Sequence, residues 1–260
     1  LARAFAPQYA DDAAVTIFAS GVSNSQETEP AAFARERVML ESELAHASRL
    51  LVYFGSCAVG GSDEPPTPYI RHKQAMETLV AGSGHGLVLR LPQVVGPTRN
   101  PNTLTNFLHG RIVAGAPFTA WAGAERSLID IDDIVAIGSR MIGEGARPRP
   151  LSIAPLRSLS MREIVAIFER VLGRTANAEW MERGAPLHID AVDAQRIAAD
   201  IGSGTGGFSK PSRVPRTERS LRIRKIAIPA RTRSWIRDPF IVDLRRLVVP
   251  FGLCTACPYV

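Results

Sequence analysis

Apolar positions along the first two hundred residues follow two rhythms. Short, mostly apolar runs, such as Leu50-Leu-Val-Tyr-Phe54 and Leu87-Val-Leu-Arg-Leu91, read as strands buried on both faces. Between them lie stretches with apolar residues three and four apart, the helical spacing. Strands or short extended pieces are predicted at 14–19, 50–54, 87–91, 118–122, 129–131, 151–153 and 178–181. Residues 1–9 read as a short helix that Pro7 ends, and 30–47 as an amphipathic helix carried by Phe33, Val38, Leu40, Leu44 and Ala45. Further helices are expected from a Thr67 cap to about 80, over 102–114, from an Asp132 or Asp133 cap to 142, from a Ser160 cap to 172, and over 190–199. Strands alternating with helices of this length imply an α/β fold, a doubly wound parallel sheet covered on both faces.

Composition adds a boundary. At 260 residues, 45% hydrophobic and 22% charged, the chain has the make-up of a soluble globular protein with one sizeable core. No apolar run approaches the roughly 20 residues that span a bilayer, which makes a cytoplasmic location the expectation. The net charge of +6 is unevenly placed: from Lys210 onward 12 Lys/Arg face three Asp/Glu, leaving 19 against 22 before it. The change falls beside the Gly-Ser-Gly-Thr-Gly-Gly-Phe-Ser stretch that begins at Gly202, so residues 1–205 are expected to form the folded unit and 206–260 a basic, Pro/Arg-rich tail. Such a tail could contact nucleic acid or an anionic surface; a poorly ordered or aberrant extension is the preferred reading. Cys57, Cys254 and Cys257 are too few for a disulfide scaffold, and the lone Cys254-Thr-Ala-Cys257 is read as incidental.

The candidate chemistry lies between residues 50 and 73. A strand ends in a small-residue turn with Ser56, a Pro-rich loop follows, and a helix opens with Thr67 as cap, Pro68 at its first position, and Tyr69 four residues before Lys73. One helix face then carries a phenol and an ammonium, and both the helix dipole and the ammonium favour the phenolate. The competing reading is that Tyr69 and Lys73 merely cover a helix face.

This order resembles the extended short-chain dehydrogenase/reductases, in their NAD-dependent epimerase/dehydratase branch acting on nucleotide sugars. The resemblance rests on Ser56, Val59, Tyr69-x-x-x-Lys73, the run Arg90-Leu-Pro92-Gln-Val-Val-Gly96-Pro97, and Arg126-Ser-Leu-Ile-Asp130-Ile-Asp132-Asp133, with Asp130 where the family usually has His. It implies a Rossmann-like sheet with a small C-terminal substrate lobe, and NAD or NADP as cofactor. It further implies Tyr69 as acid/base, Lys73 tuning it and touching the cofactor ribose, and Ser56 holding the reacting oxygen. Ala19, Ser20 and Gly21 at the end of one strand, with Pro92 and Val94 after another, would lie against the cofactor; a plain turn competes for the first three. Arg126 would bind the diphosphate of a nucleotide-sugar substrate, a surface salt bridge being its competing role, and Asn102, Asn106 and Phe118 would lie near sugar or base. The resemblance also admits a homodimer.

Two further features depart from the family pattern. No G-x-x-G-x-x-G follows a strand, and Leu-Ala-Arg-Ala-Phe5 resembles the helix that normally follows such a loop, so the sequence reads as a fragment whose first strand lay upstream of Leu1. Ser56 is followed by Cys57 where a 4,6-dehydratase would use an Asp-Glu pair, which lowers dehydration against epimerisation or reduction. The acidic cluster Asp130, Asp132 and Asp133 is read as helix capping, and no metal is expected. The histidines form no paired pattern, and His72, inside the Tyr-x-x-x-Lys turn, reads as a bystander. The leading expectation is an oxidoreductase or epimerase, inactive if the fragment is all there is. The alternative is a non-catalytic Rossmann-like binding or regulatory protein with a polyanion-binding tail.

Overall fold

The computed structural model describes residues 1–45, 49–60, 65–98, 100 and 102–202. The basic tail, Cys254 and Cys257, the Gly/Ser-rich boundary after Gly202, and the part of the Pro-rich loop at 61–64 lie outside the described residues.

Seven helices and ten strands are described. In chain order they are α1 (Ala2–Tyr9), β1 (Val15–Phe18), α2 (Pro30–Leu44), β2 (Leu50–Ser56), α3 (Pro68–Gly82), β3 (Gly86–Leu91), β4 (Gln93–Val95), α4 (Leu104–Ala114), β5 (Phe118–Trp121), β6 (Glu125–Arg126), β7 (Leu128–Asp130), α5 (Ile131–Gly143), β8 (Leu151–Ser152), β9 (Leu159–Ser160), α6 (Met161–Leu172), β10 (Ala178–Met181) and α7 (Val192–Gly202). The central sheet has the order β1-β2-β3-β8 with every pair parallel. Its strands are apolar on both sides because both sides are covered. Val52 and Phe54 of β2 point into one core with Leu87 and Leu89 of β3 and with Phe5, Ile134, Ile137, Met141 and Ile197 from α1, α5 and α7. Leu51 and Tyr53, the alternate positions, point into the other core with Val88, Leu40 of α2, and Met76 and Val80 of α3. The α/β doubly wound expectation is met.

A smaller lobe follows the sheet. α4 and α6 pack on β5 and β10, which pair in parallel, around Leu104, Leu108, Phe118, Ala120, Ile164 and Phe168. Ser160 caps α6 in a full capping box with Glu163, as its Ser-x-x-Glu pattern predicts.

Three local expectations are corrected. Pro7 does not end α1: it removes one ladder hydrogen bond, but the fully buried Phe5, packed on Phe54 at 5.5 Å between ring centroids, holds the helix to the sheet through Tyr9. Asp130, not Asp132 or Asp133, caps α5, its Oδ1 accepting from the Asp132 amide at 2.8 Å. The two following aspartates lie in the first turn, where the dipole favours them. Val38 of α2 is 65% exposed, and its predicted place on the buried stripe is taken by Glu36, 0% exposed.

Candidate active site

β2 and α3 build the centre of the site. β2 runs past its predicted end to Ser56, and Thr67 caps α3 as expected, its Oγ1 accepting from the Ile70 amide at 3.3 Å, with Pro68 in the first turn. Tyr69 therefore stands in that first turn, buried, with Ser56 near enough to its phenol to favour the phenolate. Lys73, one turn on and 2% exposed, lies over the Tyr69 ring at 5.8 Å from its centroid. The structure thus brings Ser56, Tyr69 and Lys73 together at the carboxyl end of the parallel sheet, the edge at which open α/β sheets bind ligands.

The electrostatics differ from the expectation. Tyr69 is held above the ordinary phenol value: burial dominates, Ser56 opposes it, and the charges of Glu36 and Glu77 add to it. Lys73 does not act on Tyr69 as a bare cation, because its ammonium donates to Glu36 Oε1 at 3.0 Å and to the Tyr53 hydroxyl at 3.0 Å. Glu36 is the residue of this cluster that sequence reasoning missed. Its carboxylate accepts the Tyr53 hydroxyl at 2.7 Å, the Val22 amide at 2.6 Å and His72 Nε2 at 2.9 Å besides Lys73. Burial pushes the Glu36 carboxyl up, yet Lys73, Tyr53 and the Val22 amide outweigh it and leave it below the usual carboxylate value. Burial also pulls Lys73 below the ordinary lysine value, against the pull of Glu36. His72, expected to be a bystander, stacks on Phe33 at 4.6 Å and reaches the other oxygen of the same carboxylate.

The other named residues divide. Gly21, at the end of β1, lies against the cluster; a Cβ there would stand 2.8 Å from Glu36 Oε1 and 2.9 Å from Lys73 Nζ. Ala19 packs toward the sheet core and Ser20 lies exposed beside α2. Pro92 and Val94 line the run from β3 into β4, which pairs with β7. Arg90 of the same motif grips Glu77 with its fork, Nε at 3.1 Å and Nη2 at 2.6 Å, beneath Gly55, where any side chain would collide with that carboxylate. Phe118 is turned into the lobe's apolar core against Phe107, a core position and not a ligand-facing one. Asn106 Nδ2 is engaged by the carbonyls of Thr98 and Asn100, at 3.2 and 2.8 Å, so its side chain shapes the loop before α4; Asn102 is exposed beside it. Arg126, in β6, donates to the Glu125 carbonyl at 2.9 Å, and burial pulls its guanidinium below the usual value. Among the described residues no carboxylate pairs with it, so the salt-bridge reading finds no partner there. Cys57, beside Ser56, is buried with its thiol pushed up to about 12, chiefly by that burial. Among the described residues no group of three or more His, Cys, Asp or Glu could hold a metal ion, and no helix is long and apolar enough to cross a membrane.

Residues 1–154, which carry all of the central sheet, match the family model described as the NAD dependent epimerase/dehydratase family. The chain belongs to that family. No curated protein matches this epimerase/dehydratase-family chain in sequence. Solved structures do match its fold. dTDP-glucose 4,6-dehydratase from Bacillus anthracis str. Ames, in complex with NAD, superposes with a TM-score of 0.59 at 16% identity, over 70% of this chain and 65% of its own. UDP-glucose 4-epimerase from Thermus thermophilus, also with NAD, gives 0.58 at 15% identity, over 70% of each chain. UDP-glucuronic acid 4-epimerase from Bacillus cereus, with UDP-glucuronic acid and NAD, gives 0.59 at 16%, over 70% of this chain and 68% of its own. This family member therefore spans just under two thirds of the dehydratase's length and somewhat more of the two epimerases.

Proposed function

We propose that the chain carries the acid/base centre of a Tyr-assisted hydride-transfer site that acts on a nucleotide-linked sugar with NAD or NADP. The observation that carries this reading is the meeting of Ser56 at the end of β2 with the buried Tyr69 and Lys73 of α3 at the carboxyl end of the parallel sheet, Lys73 standing one helical turn from Tyr69 and over its ring. The fold neighbours described as nucleotide-sugar epimerases and dehydratases in complex with NAD support it.

The residues present fit a dinucleotide's sugar end. Of the three donors on the Lys73 ammonium, Glu36 and Tyr53 take two, and a third N–H remains for a ribose hydroxyl. Ala19, Ser20 and Gly21, with Pro92 and Val94, would flank it from the ends of the neighbouring strands. When bound, the nicotinamide ring would supply the hydride acceptor and donor. In carbonyl reduction the neutral Tyr69 phenol, favoured by its burial, gives its proton to the substrate oxygen while the Ser56 hydroxyl holds that oxygen; in the reverse direction the phenolate takes the proton back. Arg126, desolvated and without a carboxylate partner among the described residues, suits two phosphate oxygens of a nucleoside diphosphate. Cys57 remains a neutral thiol near pH 7 and offers no carboxylic acid next to Ser56, so epimerisation or simple reduction is favoured over dehydration.

The test pairs cofactor binding with turnover. NAD and NADP titrated into the full chain are expected to quench tryptophan fluorescence, and a panel of UDP- and dTDP-hexoses followed by NMR is expected to show conversion. Tyr69→Phe should keep the fold and the binding and slow turnover by about 10²–10⁴-fold. Undiminished turnover in that variant would sink the acid/base role. A chain that binds neither cofactor would bring forward the non-catalytic binding reading.

A further inference from the structure

We propose that Glu36 is a positioning residue for Lys73: from α2 its carboxylate fixes the ammonium at the end of β1, and Tyr53 and His72 in turn fix the carboxylate. The inference rests on the reading of Lys73 as part of the acid/base centre. Four donors meet the two oxygens of a group that is 0% exposed: the Tyr53 hydroxyl and Lys73 on Oε1, the Val22 amide and His72 on Oε2. That fills the acceptor capacity of a carboxylate. The donors come from the loop after β1, from β2 and from α3, so three elements converge on one side chain of a fourth. Gly21 leaves open the place where its own Cβ would press on both Glu36 and Lys73.

The identity of the cation points the same way. Of the 31 Lys and Arg residues only three are lysines, Lys73, Lys210 and Lys225, so this is the sole lysine before residue 210. A compact ammonium with three donors, in a chain that otherwise uses the planar guanidinium, is the form that can hold Glu36 and Tyr53 and still offer a third N–H. On its own flexible stem it has several rotamers to choose from. α3 alone brings it only over the Tyr69 ring, and the contacts that select one rotamer come from Glu36 of α2 and from Tyr53 of β2, which Glu36 itself holds.

With three lysines, side-chain ammonium signals of the 15N-lysine-labelled full chain can be assigned by difference with Lys73→Met, and Lys73 titrated without cofactor or substrate. In Glu36→Gln, which keeps the shape and removes the charge, the Lys73 midpoint is expected to fall by at least about one pH unit, a tenfold loss of proton affinity, while Lys210 and Lys225 do not move. An unmoved Lys73 midpoint in a folded Glu36→Gln would overturn the proposal. If Glu36→Gln does not fold, the double variant Glu36→Gln/Lys73→Met decides: recovery of a folded chain supports the pairing, and a double no more stable than the sum of its singles overturns it. Because these readouts need no turnover, an unmoved lysine leaves the Tyr69→Phe test standing, and an inactive protein leaves the titration readable.

Discussion

Two buried carboxylates flank α3, and they are treated differently. Glu36 reaches in from α2 to Lys73, and Glu77, on α3 itself, is gripped by Arg90 of β3. Each presses against a glycine, Gly21 in one case and Gly55 in the other. Yet the carboxyl of Glu36 is drawn below its ordinary value and that of Glu77 is pushed above it. For both, burial pushes upward first. Glu36 overcomes it with a backbone amide, a phenol and an ammonium, whereas Glu77 is bonded by one guanidinium, itself 25% exposed, and feels Lys73 only as a charge at a distance. The lesson is that a buried charge is secured by how many donors surround it more than by having one opposite charge. Glu77–Arg90 ties α3 to the sheet beneath the site. Glu36–Lys73 lies within the site.

The largest expected consequence follows from truncating Glu36. Glu36→Ala strands the Lys73 ammonium, the Tyr53 hydroxyl and the Val22 amide at buried positions without their shared acceptor. Removing one partner of a buried ion pair costs about 3–5 kcal/mol. Urea unfolding of the variant should show a loss of that size, and a loss below about 1 kcal/mol would mean that the cluster holds less than its geometry indicates.

Arg90→Met should cost less, about 1–3 kcal/mol by the same measurement, the penalty of leaving a buried polar group unsatisfied. Water reaches the Arg90 fork, and Glu77, with its carboxyl already pushed up, can take a proton when the arginine is gone. A loss equal to that of Glu36→Ala would erase the distinction between the two pairs.

Much of this architecture was legible because it rests on local rules. The runs 50–54 and 87–91, the Thr67 and Ser160 caps, and the Tyr69–Lys73 spacing each depend on a few neighbouring residues, and the structure has them where the pattern puts them. The strands β4, β6 and β9, two or three residues each, were not predicted; they exist through their partners β7 and one another, which no local window contains. Glu36 escaped for a related reason. Phe33, Glu36, Leu40 and Leu44 form one helical stripe, and a Glu on it reads as an interruption until Lys73, 37 residues away, is seen beside it. Val38, apolar but off that stripe, took its place in the reading. The position of His72 relative to Tyr69 does not disclose its partner, which lies on another helix. The Tyr69 phenol was expected to be lowered by Lys73, an inference that held only while the ammonium was taken to have no other partner.

Acid titration should separate the two carboxylates with the smallest but most diagnostic effect. Glu36, with a native value below the unfolded one of about 4.3, contributes stability that is present above that pH and is lost as pH falls through its native value. Glu77 is the reverse case: its native value is raised, so its contribution is fully present below about 4.3 and is lost as pH rises through the native value. Thermal melts of wild type, Glu36→Gln and Glu77→Gln between about pH 7 and pH 3 therefore give two gaps to follow. The gap between wild type and Glu36→Gln should narrow toward acid, because protonation does to the wild type what the substitution has already done. The gap between wild type and Glu77→Gln should move in wild type's favour over the same interval, since the neutral carboxyl is the form its site prefers. If both gaps narrow together, the Arg90 fork secures Glu77 as firmly as four donors secure Glu36, and donor number is not what sets the two apart.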